Sequence, residues 1–345
     1  MPVTIYDIAE GAQVSIATVS RVLNGHARVS DATRDRVSAV AQSLGYEPHA
    51  SAQSLARRQT GLISAVVPMM TSAFFMEVLR GVQNRLDASH HDLLVYAART
   101  LANVEGQLAR AVQRGRSDGV LLVSTPLSDR RAGALAASGR PVALVDSYHP
   151  DFDSVSVDNR AGAVAAVEHL AGRGHERIAL LMPSEESVPA QRRRDGYRDA
   201  LAAAGLDADP ALEVVADWDH EHHGYTRFAG YRAMQTLLER FADGDRPTAV
   251  FVAADIMAFG ALRAAREAGL RVPGDLEVVG FDDVDASAYV GLTTLRQPMV
   301  EMGRLATEKL LRRLDDPDAP PSHTVFAPQL VARETTGGPA APLRP

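Results

Sequence analysis

The sequence predicts an N-terminal all-α helix-turn-helix headpiece followed by an α/β core of two Rossmann-like lobes. Three observations carry that prediction. Two short amphipathic helical patterns flank a tight connection in Thr4 to Asn24, TIYDIAEGAQVSIATVSRVLN. A proline-broken segment of low hydrophobic content, YEPHASAQSLARRQTG, follows the headpiece. From Gly61 onward short apolar runs alternate with helical ones in two successive sets, the pattern of buried parallel strands joined by crossover helices. The expected boundaries are a headpiece over 1–47, a linker helix over 48–60, a core over 61–336 and a disordered Gly- and Pro-rich tail over 337–345.

Within the headpiece, Thr4 with Asp7 three residues on forms a capping-box pattern, and Ile5, Ile8 and Ala9 then share one helical face. Ser15 can cap a second helix whose Val19, Val22 and Leu23 face inward, leaving Ile16, Ala17, Ser20, Arg21 and Asn24 outward. In a helix-turn-helix the second helix enters the DNA major groove with its N-terminal residues against base edges. Ser30 can cap a third helix, DATRDRVSAVAQSLG, with Gly45 as its stop. In the linker, Pro48 breaks the chain and SAQSLARR is too short and polar for a helix stable alone in water, so the segment can switch between order and disorder.

In the core, the apolar runs LISAVVP, LLVYAA, GVLLVS and PVALVD form the first set. RIALLMP, LEVVAD, AVFVAAD and LEVVGFDD form the second, after the helical DNRAGAVAAVEHLAGRGH. Two such sets imply a cleft between the strand ends of two lobes, where open α/β sheets bind ligands.

Composition sets limits. The 345 residues are 46% hydrophobic and 23% charged, ordinary globular material sufficient for two or three domains. No apolar run approaches the roughly 18 residues of a membrane span, and MPVTIYDIAE lacks the pattern of a secretion signal, so a cytoplasmic location and no membrane partner are expected. With no cysteine, disulfides, thiolate metal sites and cysteine nucleophiles are excluded. The formal net charge of −7 is unevenly divided: residues 1–60 hold six arginines against five acids, and Val14 to Ser30 contains Arg21 and Arg28 with no acid. A modest basic face on an acidic body fits a chain that touches phosphate with one small part.

In this order and spacing, TIYDIAEGAQVSIATVSRVLNG, RRQTGLISAVVP, DGVLLVS, VDNRAGA, LAGRGHERIALL, RRDGYRDAL, AREAGLRVPGDLEVVGFDD and LTTLRQPMVEMGRLATEKLL resemble the LacI/GalR family of bacterial transcription regulators over nearly the whole chain. The resemblance implies a periplasmic-binding-protein-like core, a homodimer on double-stranded, near-palindromic operator DNA, and a small-molecule effector whose binding orders or frees the linker helices. It places Ile16, Ala17 and Arg21 at base edges. Arg21 can bond guanine bidentately, whereas Ile16 and Ala17 offer only apolar contact. It places Thr18, Ser20, Asn24, Arg28 and Ser30 at phosphates; the alternative for Thr18 and Ser20 is a merely exposed helix position. Leu55 stands where the family wedges a central base step open, with Ala52 and Ala56 small enough for close helix approach and Arg57 and Arg58 within reach of phosphates; the alternative for Leu55 is a buried linker residue. One departure is Gln13, where the family usually has Gly in the turn. A non-Gly residue held left-handed costs about 1 kcal/mol, so a looser or differently shaped turn is expected.

For the cleft, Arg193 occupies the family's effector-binding arginine position. Asp255 and Asp282 lie at strand ends, where two carboxylates can accept the paired hydroxyls of a sugar, and Trp218 can stack on an apolar sugar face. Phe74 and Phe75 can close the other side, with Ser124, Thr125 and Asp146 as secondary candidates. The alternatives are a core aromatic for Trp218, and helix capping or a lobe-internal hydrogen bond for the two acids. Two departures stand out: Ala254-Asp255 replaces the family's Asn-Asp pair, and WDHEHHGYTRFAGYRAM is longer than usual. Its His220, His222 and His223 do not complete an HExxH motif, because position 224 is Gly, so no metal and no cofactor are expected. No GxSxG elbow, phosphate loop or GxGxxG after a strand is present, so no enzyme activity is expected. The expectation is a repressor of a carbohydrate-utilisation operon; a purine or nucleoside effector, or a sugar-binding module without operator control, are the alternatives.

Overall fold

The computed structural model describes residues 3–23, 29–46, 59–98, 101–216, 224–242 and 244–339. The headpiece consists of α1 (Ile5–Ala12), α2 (Ile16–Leu23) and α3 (Asp31–Ser43), closed over Ile8, Ala12, Val19, Val22 and Val37. The capping box forms as the spacing predicts. The Asp7 carboxylate accepts both the Thr4 backbone N–H, at 2.7 Å, and the Thr4 hydroxyl, at 2.8 Å. The turn at Gln13 is not loose: Gln13 itself adopts φ 52 and ψ 46, the left-handed conformation, and the Val14 N–H closes onto the Ala9 carbonyl at 3.1 Å. That 6→1 bond is a Schellman closure, which holds the strained residue in place. Gly11 has a separate task. A Cβ there would lie 2.8 Å from Val40 Cγ1, so its absence lets α1 settle on α3.

The first lobe is a parallel six-stranded sheet ordered β2-β1-β3-β4-β5-β11, from β1 (Leu62–Val67), β2 (Asp92–Ala97), β3 (Gly119–Val123), β4 (Val142–Val145), β5 (Asp153–Val157) and β11 (His323–Phe326). Its central strands β3 and β4 are apolar on both faces because helices cover both. Ile63, Ala65 and Val67 pack under α4 (Ala73–Leu86), whereas Val66 packs with Leu108 of α5 (Leu101–Ala111) and Leu135 of α6 (Asp129–Ala137).

The second lobe is ordered β7-β6-β8-β9-β10-β12, from β6 (Ile178–Met182), β7 (Glu213–Val215), β8 (Ala249–Val252), β9 (Glu277–Asp282), β10 (Thr293–Arg296) and an antiparallel edge, β12 (Gln329–Val331). α7 (Asn159–Gly172) and α8 (Val188–Ala203) cover one face, and α9 (Arg227–Arg240) and α10 (Asp255–Glu267) the other. A short α11 (Asp285–Tyr289) follows β9.

The lobes are not two uninterrupted halves of sequence. The chain passes between them after β5, after β10 and between β11 and β12. Helix α12 (Met299–Asp315), late in the chain, therefore returns to pack on the first lobe beside α4, with Met302, Ala306 and Leu310 in that lobe's core. Gly81 and Gly303 make this pairing possible, since a Cβ on either would overlap a carbonyl of the partner helix. At the C-terminal end, Gly337 and Gly338 still donate to Glu334 and Arg333 carbonyls, so order extends into the segment expected to be a disordered tail. No helix among the described residues is long and apolar enough to cross a membrane.

Candidate functional site

On α2, Val19 and Val22 are buried while Ile16, at 40% exposure, Ala17 and Arg21 face outward. Ser15 caps the helix as expected: the Thr18 N–H donates to its Oγ at 3.2 Å. The same Oγ lies 2.9 Å from the Thr18 hydroxyl, so Thr18 is half-buried and engaged within its own helix. Ser20 is half-buried, and exposed Ser30 starts α3 with its hydroxyl 2.9 Å from that of Thr33. Asn24, Arg28, Leu55, Ala56 and Trp218, and His220, His222 and His223, lie outside the described residues.

Between the lobes, polar groups converge on Arg193. It rises from the first turns of α8, where Ser187 caps the helix, and is only 3% exposed. Its Nε donates to Asn159 Oδ1 at 2.8 Å and its Nη1 to the Ala253 carbonyl, while its guanidinium carbon stands 3.7 Å from the centroid of the Phe281 ring. Asp282 Oδ1 is 3.9 Å from Arg193 Nη1. Three contacts, from Asn159, the Ala253 carbonyl and Phe281, thus fix a cation beside the Asp282 carboxyl group at the strand ends.

Asp146 belongs to the other lobe, just past β4. It adopts φ 52 and accepts a 2.7 Å bond from the Ser124 hydroxyl; Ser124, just past β3, has φ 43, and Asp282 has φ 128. Non-glycine residues in such conformations are uncommon and cluster where function demands a particular side-chain direction. Burial pushes the Asp146 carboxyl up, against the pull of the Ser124 bond and of Arg193 across the cleft. Burial also raises Asp282, to about 8, opposed by Arg193 and the Gln297 hydrogen bond and reinforced by the charges of Asp255 and Asp146. Tyr225, whose hydroxyl is 2.8 Å from Ser187 Oγ, is raised by burial and feels Arg193, Asp146 and Asp282 as well. These four groups therefore form one electrostatic cluster drawn from both lobes, able to hold a ligand rich in hydroxyls.

Two expectations change, those for Asp255 and Thr125. Asp255 is fully buried, and its carboxylate accepts from Ser287 Oγ at 2.6 Å, Thr294 Oγ1 at 2.6 Å and the Val284 N–H at 3.2 Å. It cross-links α10, α11 and β10 inside its own lobe, so it faces no ligand, and burial raises it to about 6. The reason is positional: Asp255 opens α10, three residues past the end of β8, and is turned inward. Thr125 is buried and donates to the Val123 carbonyl at 3.0 Å, which removes it from the cleft set. Phe74 and Phe75 form an edge-on pair, centroids 5.2 Å apart, half-buried against the first lobe's core at the start of α4.

The sequence reading missed Asn159, Tyr225 and Gln297. Gln297 Nε2 donates to Asp282 Oδ1 at 2.7 Å, and its buried Oε1 has no partner among the described residues. An orphaned buried acceptor of this kind calls for a ligand donor or water. Asn159 and Gln297 sit at two of the chain's passages between lobes; their local signals are only the Asn of VDNRAGA and the residue before Pro298.

Residues 4–49 match the model of bacterial regulatory proteins of the lacI family, and residues 167–336 match a periplasmic binding protein-like domain. Catabolite control protein A of Priestia megaterium is 32% identical over 341 residues, 97% of this chain and 100% of that protein. The chain belongs to the LacI/GalR family of bacterial transcription regulators. The family resemblance and the two-part fold read from the sequence are thereby established. The ribose operon repressor of Haemophilus influenzae is 33% identical, covering 96% of this chain and 98% of that one. Among solved structures, the lac repressor dimer bound to operator and the anti-inducer ONPF is 32% identical with a TM-score of 0.83, covering 97% of this chain and 99% of that chain. The CelR–cellobiose complex is 31% identical with a TM-score of 0.71, covering 96% and 99%. This family consists of regulators rather than enzymes.

Proposed function

We propose that this regulator is a sugar-responsive repressor that binds a near-palindromic operator as a homodimer and controls carbohydrate-utilisation genes. One observation carries the effector half of the reading. Arg193, Asp282 and Tyr225 of one lobe are electrostatically linked to Asp146 of the other, and Gln297, bonded to Asp282, has a carbonyl oxygen without a partner among the described residues. A guanidinium, two carboxyls and an amide facing one cleft suit a ring that presents several hydroxyls, each able to donate and accept. Because the set is divided between lobes, a ligand that completes it changes the free energy of closure, as a two-state switch requires.

The DNA half rests on α2. Arg21 reads guanine, Ile16 and Ala17 offer apolar contact to a thymine methyl, and Ser20, Ser30, Asn24 and Arg28 meet phosphates. The Thr18 hydroxyl reaches a phosphate only by sharing itself with Ser15. Leu55 and Ala56 act at the minor groove, and Trp218, Phe74, Phe75 and Ser124 border the sugar. Relatives described as a ribose operon repressor and as a regulator complexed with cellobiose support the choice of a sugar. The test is a melting-temperature screen against mono- and disaccharides, joined to a gel shift with DNA upstream of the chain's own gene. A ligand specific for the folded cleft raises the melting temperature by mass action; no shift by any sugar, or no retarded DNA at low salt, would sink the reading.

A further inference from the structure

The chain enters the core at Thr60 and Gly61, and what receives it there is a single buried carboxylate. Thr60 N–H donates to Asp118 Oδ1 at 2.7 Å, and Gly61 N–H donates to Asp118 Oδ2 at 2.8 Å. The Asp118 N–H in turn donates to the Leu62 carbonyl at 2.8 Å, and the Asp92 N–H to the Gly61 carbonyl at 2.8 Å. The two donors held by Asp118 lie just before Leu62, the first paired residue of β1. Gly61 has φ +69, so the chain turns sharply between the linker and β1. His91 Nε2 stands 3.8 Å from Asp118 Oδ2 and closes the far side.

Burying a carboxylate is costly unless it is fully bonded, and two charge-assisted N–H bonds meet that condition. The location is what gives the arrangement a use. Asp118 immediately precedes β3, and β3 runs between β1 and β4 in the middle of its sheet. At the opposite end of that strand is Ser124, bonded to Asp146 in the cleft. Five strand residues span roughly 17 Å and, paired on both sides, move as one body. Resting on the regulator reading above, we infer that Asp118 is a positioning residue for operator binding. Its carboxylate clamps Thr60, the last residue of the 48–60 linker, and Gly61, the first of the core, to the strand whose other end senses the effector. The linker thereby leaves the core in a direction set by the lobe and follows β3 when the cleft closes.

The test uses full-length protein with Asp118→Asn, which keeps shape but turns one acceptor into a donor, and Asp118→Ala, which removes both acceptors. Anisotropy measures binding to the DNA upstream of the chain's own gene and to unrelated DNA of equal length. The Asn variant is expected to bind the upstream DNA about tenfold more weakly or worse, the scale of one lost charge-assisted bond, with unrelated DNA little affected. Trypsin is also expected to cut after Arg57 and Arg58 in the variant's upstream-DNA complex faster than in that of the wild type. The Ala variant should be weaker still, and the Asn variant keeps the comparison valid if Ala fails to fold. A wild-type preference for the upstream DNA that survives unchanged in Asp118→Asn overturns this inference alone. A wild type with no preference at all overturns the regulator reading and this inference with it.

Discussion

The guanidinium of Arg193 lies over the ring of Phe281, 3.7 Å from its centroid, and this contact fixes how the cation meets the cleft. With Asn159 and the Ala253 carbonyl holding two of its nitrogens, Arg193 has little rotational freedom left. It is preorganised for a ligand before one arrives, which lowers the ordering cost of binding.

Arg193→Lys tests that arrangement. An ammonium keeps the charge but cannot satisfy Asn159 Oδ1 and the Ala253 carbonyl while stacking on Phe281. The expected result is loss of the sugar-induced rise in melting temperature together with a destabilisation of about 2–4 kcal/mol from buried groups left unpaired, read by urea unfolding. A variant that still responds to the same sugar would remove Arg193 from the site.

The raised carboxyls of Asp282 and Asp255 make a prediction about pH. Each has a folded value above its unfolded one, about 8 and about 6 respectively. Each therefore contributes stability that is fully present below the unfolded carboxylate range and is lost as pH rises through the folded value. Asp153, Asp275 and Glu277 are lowered and already ionised in both states above pH about 5. The stability contributed by these two carboxyls to the ligand-free protein should fall between pH about 5 and about 9, by at most about 1.4 kcal/mol per pH unit for each titrating proton, opposed below about pH 6.5 by His169, which burial lowers. Asp282→Asn should flatten the upper part of that fall, and melting curves across the range would show it.

Arg21→Ala separates the two halves of the molecule. The side chain is exposed on α2, far in sequence from the cleft residues. Specific DNA affinity should drop by about 1–3 kcal/mol, while the sugar-induced thermal shift stays intact. Simultaneous loss of both would mean that Arg21 supports the fold rather than reading a base.

The Gln13 turn offers a smaller test. Gln13→Gly relieves a left-handed residue of about 1 kcal/mol of strain, offset in part by the greater freedom of glycine in the unfolded chain. Amide exchange in α1 and α2 should therefore change little or slow slightly. Gln13→Ile should speed it, because a β-branched side chain resists that conformation.

At the helix pair α4–α12, Gly303→Ala is predicted to cost about 1–3 kcal/mol or more by overpacking, measured by chemical unfolding. The added methyl would overlap the Val78 carbonyl, which belongs to backbone and cannot swing aside.

What the sequence by itself determined was local. The Thr4–Asp7 capping box, the buried stripe of Val19 and Val22, and the alternation of apolar strands with helices from Gly61 onward follow from spacings of a few residues, and the structure repeats them. The family resemblance added Arg193, whose position no periodicity marks. The tertiary structure decided which strand-end groups meet. Asp255 and Asp282 look alike in sequence, each an acid closing an apolar run, yet one is turned into its lobe by Ser287 and Thr294 while the other faces Arg193. Asn159 and Gln297 enter the site only because the chain passes repeatedly between lobes, and α12 joins the first lobe for the same reason. Period reports that a residue stands at a strand end; the direction its side chain takes depends on sheet order and on the neighbours that bond it, which are distant in sequence.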